Sequence, residues 1–308
     1  MSRPNLPRRT RVYQNHHLDS TRWDRIYRRA GDIIITTPYK CGTTWTQTIV
    51  LHLIFQDLQP RELGEFSPWV DFRPPPIDDL VAKLAAQTHR RCLKSHLPAD
   101  GTAFDPEAQY LVIGRDPRDV FMSFWNHYSN YTEMALAQLA GCENLVGAPL
   151  PRCDGDIGQG FRDWISRGWF AWENEGYPFW GNMAHIRSWW AFRDLPNIRF
   201  VHFNDLLADT SAEIAGIAAY LNIACSSEMC RDIAEAVSFK SMRRAATQIS
   251  TGNEAVFRDG ARTFINKGTN GRWKDVLAGD DLTLYDQVAA RELPPDCRDW
   301  LEGRAAAV

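Results

Sequence analysis

The sequence predicts one α/β domain, residues 1–308, built on a central parallel sheet that is flanked by helices. Short apolar runs rich in β-branched residues occur at 33–37, 109–114 and 198–203, and a segment of helical periodicity follows each of them. Strands that alternate with helices form parallel sheets, which bind their ligands beyond the carboxyl ends of the strands. No stretch has the composition of a linker, so a single domain is expected.

The first of these runs leads into a turn that is typical of an anion site. After 33–37 come Lys40, Gly42, Thr43 and Thr44, and an apolar stretch with helical spacing follows. The first N–H groups of a helix have no internal partner, and glycine lets an anion approach the backbone closely. An ordinary strand–helix connection is the alternative. It is disfavoured because a lysine, a glycine and two hydroxyls lie within five residues.

The turn resembles the 5′-phosphosulfate loop of cytosolic-type sulfotransferases, whose usual form is Tyr-Pro-Lys-Ser-Gly-Thr-Thr-Trp. Residues 38–45 have Pro and Tyr in inverted order and Cys41 at the usual serine. In the phosphate loop of nucleoside triphosphatases the lysine instead follows the second glycine. The resemblance implies 3′-phosphoadenosine 5′-phosphosulfate (PAPS) as sulfuryl donor and adenosine 3′,5′-bisphosphate (PAP) as product. It also implies donor contacts from Lys40, Cys41, Gly42, Thr43, Thr44 and Trp45.

A second segment, residues 94–98, resembles the family's Lys-Thr-His-Leu-Pro and follows a predicted strand at 91–94. The resemblance implies that His96 is the general base, since a positioned imidazole can take the proton of a hydroxyl acceptor. Lys94 would neutralise the sulfuryl oxygens and Lys40 the departing phosphate. A lone histidine is more often a buried structural residue, but the adjacent lysine at a strand end favours the catalytic interpretation.

Two further segments extend the resemblance to the nucleotide. Arg115 and Ser123 have the spacing of the family's pair for the 3′-phosphate, and an arginine can form two hydrogen bonds to phosphate. Residues 238–242 resemble a stretch that packs around adenine and ribose, and Phe203 occupies the place of a usual tyrosine. The residues implied by these matches are Arg115, Ser123, Phe203, Ser238, Phe239 and Met242.

Near the C-terminus, residues 264–273 resemble the family's Arg-Lys-Gly-x-x-Gly-x-Trp. Lys267 and Gly268 remain as expected phosphate ligands, but Asn266 replaces the arginine, so one positive charge is missing. Three arginines were open candidates to supply it: Arg115, Arg262 and Arg272.

The composition of the chain argues against several other kinds of partner. The net charge of −3 gives no support for nucleic acid or an anionic membrane surface, and no apolar run is long enough for a membrane span. The seven cysteines include no Cys-x-x-Cys pair, so neither a disulfide framework nor a zinc site is expected, and a cytoplasmic location fits. No carboxylate cluster for Mg²⁺ occurs, so no metal is expected. The oligomeric state stays open.

The acceptor is expected to be a small molecule with a hydroxyl group. Aromatic residues in loop-like stretches favour a phenol or another apolar alcohol, and a sugar or glycolipid hydroxyl is the alternative. The candidate pocket residues are Phe66, Trp69, Phe72, Trp125 and Tyr128. A nucleotide-dependent kinase of the phosphate-loop class and a non-catalytic nucleotide-binding protein remain alternative functions.

Three regions carry structural expectations outside the motifs. Residues 1–19 are polar and rich in Arg, Pro and His, and we expect them to be loosely ordered. Residues 246–272 are rich in Gly, Asn and Thr and are predicted to form a long mobile loop. A last helix is predicted over 281–291.

Overall fold

The computed structural model describes residues 5–143, 145–153 and 155–304. Its sheet has four parallel strands, ordered β2-β1-β3-β4. The strands are β1 (Ile33–Thr36), β2 (Cys92–Ser95), β3 (Gln109–Gly114) and β4 (Ile198–His202). The predicted parallel sheet is therefore confirmed.

Helices occupy about half of the rest of the described chain, and two 3₁₀ turns lie at Ser20–Arg25 and Arg272–Asp275. In chain order the helices are α1 (Thr43–Phe55), α2 (Leu63–Phe66), α3 (Ile77–Ala86), α4 (Pro117–Ser129), α5 (Glu133–Ala140), α6 (Ile157–Ser166), α7 (Asn182–Trp190), α8 (Phe203–Ala208), α9 (Thr210–Tyr220), α10 (Ser227–Ala236), α11 (Phe239–Arg244), α12 (Ala246–Ile249), α13 (Asn253–Val256), α14 (Ala261–Phe264), α15 (Gly279–Glu292) and α16 (Pro295–Leu301). None of them is long and apolar enough to cross a membrane within the part of the chain that is described.

The sheet is buried on both faces, as its continuous apolar strands require. In β1, Ile33 and Ile35 pack into one apolar layer, whereas Ile34 points into the layer on the opposite face. In β3, Leu111 belongs to the first layer and Val112 to the second. Successive side chains of a strand alternate between faces, so helices on both sides can cover the sheet.

The register brings the four strands to a common end. Thr36 of β1 pairs with Ser95 of β2 and with Val112 of β3, and Gly114 of β3 pairs with His202 of β4. The segments after each strand therefore emerge along one edge, where ligands of such sheets bind.

Three segments differ from expectation. Residues 13–18, expected to be loosely ordered, are packed against the fold, with Tyr13 and Leu18 almost fully buried. The loop predicted at 246–272 contains three helices of four residues each, too short to show helical periodicity. A final helix, α16, follows α15 and begins at Pro295, in the first helical position that proline favours.

Candidate active site

A cavity of about 880 Å³ opens over the carboxyl ends of the strands. Each strand contributes to its wall through the residues at its end or directly after it: Lys40 after β1, Lys94 and His96 at β2, Arg115 after β3 and Phe203 after β4. The cavity therefore lies where the topology of a parallel sheet predicts a ligand site.

The turn between β1 and α1 has a strained backbone. Lys40 has a φ of 64° and Gly42 a φ of 102°, a region that residues other than glycine seldom adopt. A Cβ atom at Gly42 would lie 2.9 Å from the Phe203 ring, so only glycine fits there without a shift. Gly42 caps α1 without a side-chain hydrogen bond, which leaves the first N–H groups of the helix available to an anion.

The side chain of Cys41 does not line this cavity. It is fully buried, and its Sγ atom lies 3.7 Å from the carbonyl oxygen of Tyr39. Burial raises the pKa of the thiol to about 12. The cysteine thus remains a neutral thiol, and only its backbone can reach a ligand at the turn. Thr43, Thr44 and Trp45 do line the cavity.

Two lysines face the cavity with depressed pKa values. Burial, followed by the nearby charges of Lys94 and Arg115, lowers the pKa of Lys40 to about 7. Burial lowers the pKa of Lys94 to about 8, while Asp71 opposes that shift. Clustered cations that lack an anion destabilise one another, so an anionic ligand between them would restore their protonated forms.

His96, which directly follows β2, is held by the end of the neighbouring strand β1. Its Nδ1 atom lies 2.7 Å from the carbonyl oxygen of Thr37, to which it donates, so Nε2 is the ring nitrogen that can accept a proton. Burial, together with Lys94, holds the pKa of His96 well below its usual range. The imidazole is therefore neutral near pH 7 and able to act as a base.

Asp71, which the sequence did not single out, organises this region. Its Oδ2 atom accepts from the backbone N–H of His96 at 3.0 Å and from Nε1 of Trp69 at 2.8 Å. The Lys94 ammonium lies 4.3 Å from the centroid of the Trp69 ring, a cation–π contact. Asp71 is fully buried, and it ties the catalytic candidates to an aromatic wall.

At the other end of the cavity, Arg115 lies 4.1 Å from the Phe203 ring and is engaged by the loop before Arg272. Its Nε and Nη2 atoms donate to Oδ1 of Asn270 at 3.0 and 2.6 Å. Ser123, on α4, also lines the cavity. The two residues, eight apart in the sequence, thus both contribute to one cavity.

Of the three arginines considered as substitutes for the charge missing at Asn266, Arg272 lines the cavity together with Arg115. The Nε atom of Arg272 is buried without a hydrogen-bond partner. Burial lowers the pKa of Arg115, and the nearby charge of Arg272 adds to that shift. Two neighbouring guanidinium groups, one with a free donor, fit a phosphate. Arg262 is not among the lining residues.

The remaining nucleotide-binding candidates also lie along the cavity: Ser238, Phe239, Met242, Asn266, Lys267 and Gly268. Gly268 has a φ of +63°, and a Cβ atom there would lie 2.6 Å from the Phe239 ring. The close approach explains why a glycine is needed at this position. Within the described residues, no group of three or more His, Cys, Asp or Glu side chains could hold a metal ion.

Only two of the five aromatic pocket candidates reach the cavity. Trp69 and Phe72 line it and stack at 4.5 Å between centroids. Phe66 instead packs against Phe55 beside α1. Trp125 and Tyr128 lie on α4 but outside the lining, and the Tyr128 hydroxyl donates to the carbonyl oxygen of Pro151.

Several further residues line the cavity that were not predicted. Those from segments without a motif are His17, His127, Tyr131, Phe179, Trp180 and Phe257. Tyr39 and Phe264 lie within the matched stretches 38–45 and 264–273, but no role was expected of them there. His127 and Tyr131 follow Ser123 at spacings of four, so the helical face of Ser123 was a signal that could have indicated them.

Residues 30–294 match the family model of the sulfotransferase domain. A glycolipid sulfotransferase of Mycobacterium bovis is 32% identical over 314 residues, covering 95% of this chain and 94% of the relative. Human sulfotransferase 1C2 is 24% identical, covering 86% of this chain and 84% of the relative. The structure of mouse sulfotransferase SULT7A1 complexed with PAP is similar with a TM-score of 0.70 at 16% identity, covering 93% of each chain.

The chain belongs to the sulfotransferase family. It is an enzyme of the PAPS-dependent class, so the predicted reaction, sulfuryl transfer, is confirmed. The family match argues against the alternatives of a phosphate-loop kinase and of a non-catalytic nucleotide-binding protein.

Proposed function

We propose that the enzyme transfers the sulfuryl group of PAPS to the hydroxyl of a phenol or another apolar alcohol, with His96 as the general base. The observation that carries this proposal is that Lys40, Lys94 and His96 line one cavity, with Nδ1 of His96 bonded to Thr37. The proposed base, the two cations and the proposed acceptor pocket thus belong to the same cavity.

The phosphosulfate is assigned to the turn at 40–45. The N–H groups at the start of α1 would bind its oxygens, and Lys40 would stabilise the charge that develops on the departing phosphate. Lys94 would neutralise the sulfuryl oxygens. The start of α1 supports this assignment, because Gly42 caps the helix without a side-chain hydrogen bond and leaves its first N–H groups available.

The 3′-phosphate is assigned to Arg115, Ser123 and Arg272. The support is the free Nε donor of Arg272 and the effect of its charge on the nearby Arg115. Lys267 and Gly268 also line the cavity. The adenine is assigned to the space bordered by Trp45, Phe203, Ser238, Phe239 and Met242.

PAPS supplies the sulfuryl group, which passes by in-line displacement from the phosphate oxygen to the acceptor oxygen. The chain's own residues align and neutralise the reactants. Nε2 of His96 takes the acceptor proton as the new oxygen–sulfur bond forms, because Nδ1 already carries a proton bonded to Thr37. Lys40 balances the negative charge left on the phosphate.

The acceptor proposal is supported by an aromatic part of the cavity wall. Trp69, Phe72, Phe179 and Trp180 line it, which suits an aromatic or otherwise apolar hydroxyl compound. A glycolipid hydroxyl is a second candidate, favoured by the name of the mycobacterial relative at 32% identity. We place the enzyme in the cytoplasm because its seven cysteines include no disulfide pattern.

Thermal denaturation tests the donor. PAP at a hundredfold excess over its dissociation constant should stabilise the enzyme by about 2.7 kcal/mol in the presence of a metal chelator. Stabilisation by ATP with Mg²⁺ but not by PAP would refute the assignment. A panel of phenols, aliphatic alcohols and glycolipids, assayed with PAPS, would then identify the acceptor class; turnover of glycolipids alone would favour the second candidate.

A further inference from the structure

Six residues link the donor side of the cavity to its acceptor wall by consecutive hydrogen bonds. Nζ of Lys40 lies 3.1 Å from Nδ1 of His127, and Nε2 of His127 lies 2.9 Å from the hydroxyl of Tyr131. The bonds continue through His17 and His16 at 3.3 and 2.5 Å and end 2.8 Å from a backbone carbonyl. We call this series the Lys40–Pro178 chain; its members are Lys40, His127, Tyr131, His17, His16 and the carbonyl group of Pro178.

The direction of every bond in the Lys40–Pro178 chain follows from its last member. A carbonyl oxygen can only accept, so Nε2 of His16 carries the proton and its Nδ1 accepts. His17 must then donate from Nδ1 and accept at Nε2, which requires the Tyr131 hydroxyl to donate to it. The same hydroxyl must therefore accept from Nε2 of His127.

This argument requires neutral imidazoles, and burial provides for them. Burial lowers the pKa of His16 to about 3 and holds the pKa values of His17 and His127 well below their usual range. A neutral imidazole has one donor and one acceptor. Nδ1 of His127 is therefore an acceptor, and the bond from Lys40 to it can run only from the lysine.

We propose that His127 is a positioning residue for Lys40, and that Tyr131, His17 and His16 lock His127 in the tautomer that accepts from the lysine. This rests on the assignment of Lys40 to the phosphosulfate. An ammonium has three N–H donors. With one of them committed to His127, rotation of the ammonium is restricted and the other two remain for the donor's oxygens.

The matched test is a set of four variants whose affinity for PAP is measured by calorimetry across pH 6 to 9. The phosphates of PAP are almost fully ionised above pH 7, since such groups have a second pKa near 6. A fall in affinity at higher pH then reports the loss of protons from the protein. The charged groups that face Lys40 are Lys94 and Arg115. The titratable groups that face His127, besides Lys40, are His17, His96 and Lys94.

In the wild type we expect affinity for PAP to fall above pH 7, and Lys40→Met should remove much of that fall. His127→Leu should move the fall in PAP affinity to lower pH. It should also reduce kcat by about tenfold, which corresponds to the lower end of the free energy of a hydrogen bond to a charged group. His127→Asn should restore most of both, because its Oδ1 atom can accept near the position of Nδ1. Tyr131→Phe should shift the profile in the same direction as His127→Leu.

The control for the tyrosine is Tyr285→Phe, which removes a buried hydroxyl bonded to Glu302 at 3.2 Å, remote from the Lys40–Pro178 chain. It should leave the profile unchanged. If Lys40→Met keeps the wild-type profile, the assignment of Lys40 itself is wrong. If Lys40→Met flattens the profile but His127→Leu and Tyr131→Phe do not shift it, the positioning role is wrong.

Imidazole nitrogen NMR gives a second readout, in which the tautomers are observed in the wild-type enzyme itself. We expect the Nε2–H tautomer for His127 and His16 and the Nδ1–H tautomer for His17. Loss of one signal in His127→Asn assigns the residue. Detection of His127 as the Nδ1–H tautomer would overturn the proposal.

Discussion

The Nδ1 atom of His96 lies 2.7 Å from the carbonyl oxygen of Thr37, the residue that follows β1. This bond joins the ends of two neighbouring strands, because His96 follows β2 directly. Nδ1 is thus held in a hydrogen bond to the backbone, and Nε2 is the ring nitrogen that remains free to act in the cavity. The base candidate is therefore oriented by the sheet itself.

His96→Ala should reduce turnover by about 10²–10⁴-fold, the usual contribution of acid–base catalysis, with little change in affinity for PAP. The loss should shrink for acidic phenols, which are already partly ionised. His89→Ala, a histidine outside the cavity, is the control and should keep normal turnover. Near-normal turnover of His96→Ala on a weakly acidic alcohol would contradict the role of His96 as general base and would indicate a structural role instead.

The pH profile should reflect the lowered pKa of His96. An unperturbed histidine titrates at about 6.5, but burial holds His96 well below that value. The base must be neutral, so kcat should fall only as the pH drops through the lowered pKa, and His96 should add no acidic limb near pH 6.5. An acidic limb at about 6.5 that disappears in His96→Ala would contradict the burial of this imidazole.

Arg115→Ala should weaken donor binding by about 1.5–3 kcal/mol, the value of hydrogen bonds to a charged group. It should also reduce the preference for PAP over adenosine 5′-phosphate, which lacks the 3′-phosphate. Arg115→Lys keeps the charge but loses the forked geometry, and it should recover only part of the affinity. Calorimetry with both nucleotides checks this, and an unchanged preference would assign the 3′-phosphate to other residues.

Arg272 and Arg262 form a matched pair for the charge that is missing at Asn266. Arg272→Ala should weaken PAP binding by about 1.5–3 kcal/mol because it removes a guanidinium that lines the cavity. Arg262→Ala, which removes the same charge outside the cavity, should have a small effect. Equal losses for the two variants would mean that net charge, not contact, accounts for the effect.

Gly42→Ala should lower both the melting temperature and the affinity for PAP. The new Cβ atom would lie 2.9 Å from the Phe203 ring, at a φ of +102°. Gly147→Ala is the control for backbone strain, since Gly147 has a φ of +79° with no heavy atom within 4 Å of the added carbon. Each should cost about 1–2 kcal/mol of stability for the backbone, but only Gly42→Ala should impair PAP binding.

The sequence could predict the donor side because its signals are local. Lys40 and Gly42 lie in one turn, and the positions of Lys94, His96 and Arg115 follow from strand ends. The ends of parallel strands share one edge, so side chains remote in sequence could be assigned to one site without knowing the packing. The register of β1, β2 and β3 agrees with that reasoning.

The aromatic wall of the cavity, which we propose for the acceptor, depended on tertiary structure. Phe66 and Trp125 have the composition of pocket residues, but they pack elsewhere, whereas Phe179 and Trp180 come from a segment without a motif. An aromatic side chain lowers its free energy by burial in either place, so residue type does not determine which place it takes.

The sequence by itself determined the class of fold, the anion-binding turn and the order of charged residues at the strand ends, because each depends on neighbours along the chain. Only the tertiary structure decided that Nε2 of His17 lies 3.3 Å from the hydroxyl of Tyr131, 114 residues later, and that Nζ of Lys40 lies 3.1 Å from Nδ1 of His127, 87 residues away. Contacts of that separation depend on how helices and loops pack around the sheet. That packing minimises the free energy of the whole chain by burying apolar area and satisfying hydrogen bonds, so no single segment determines it.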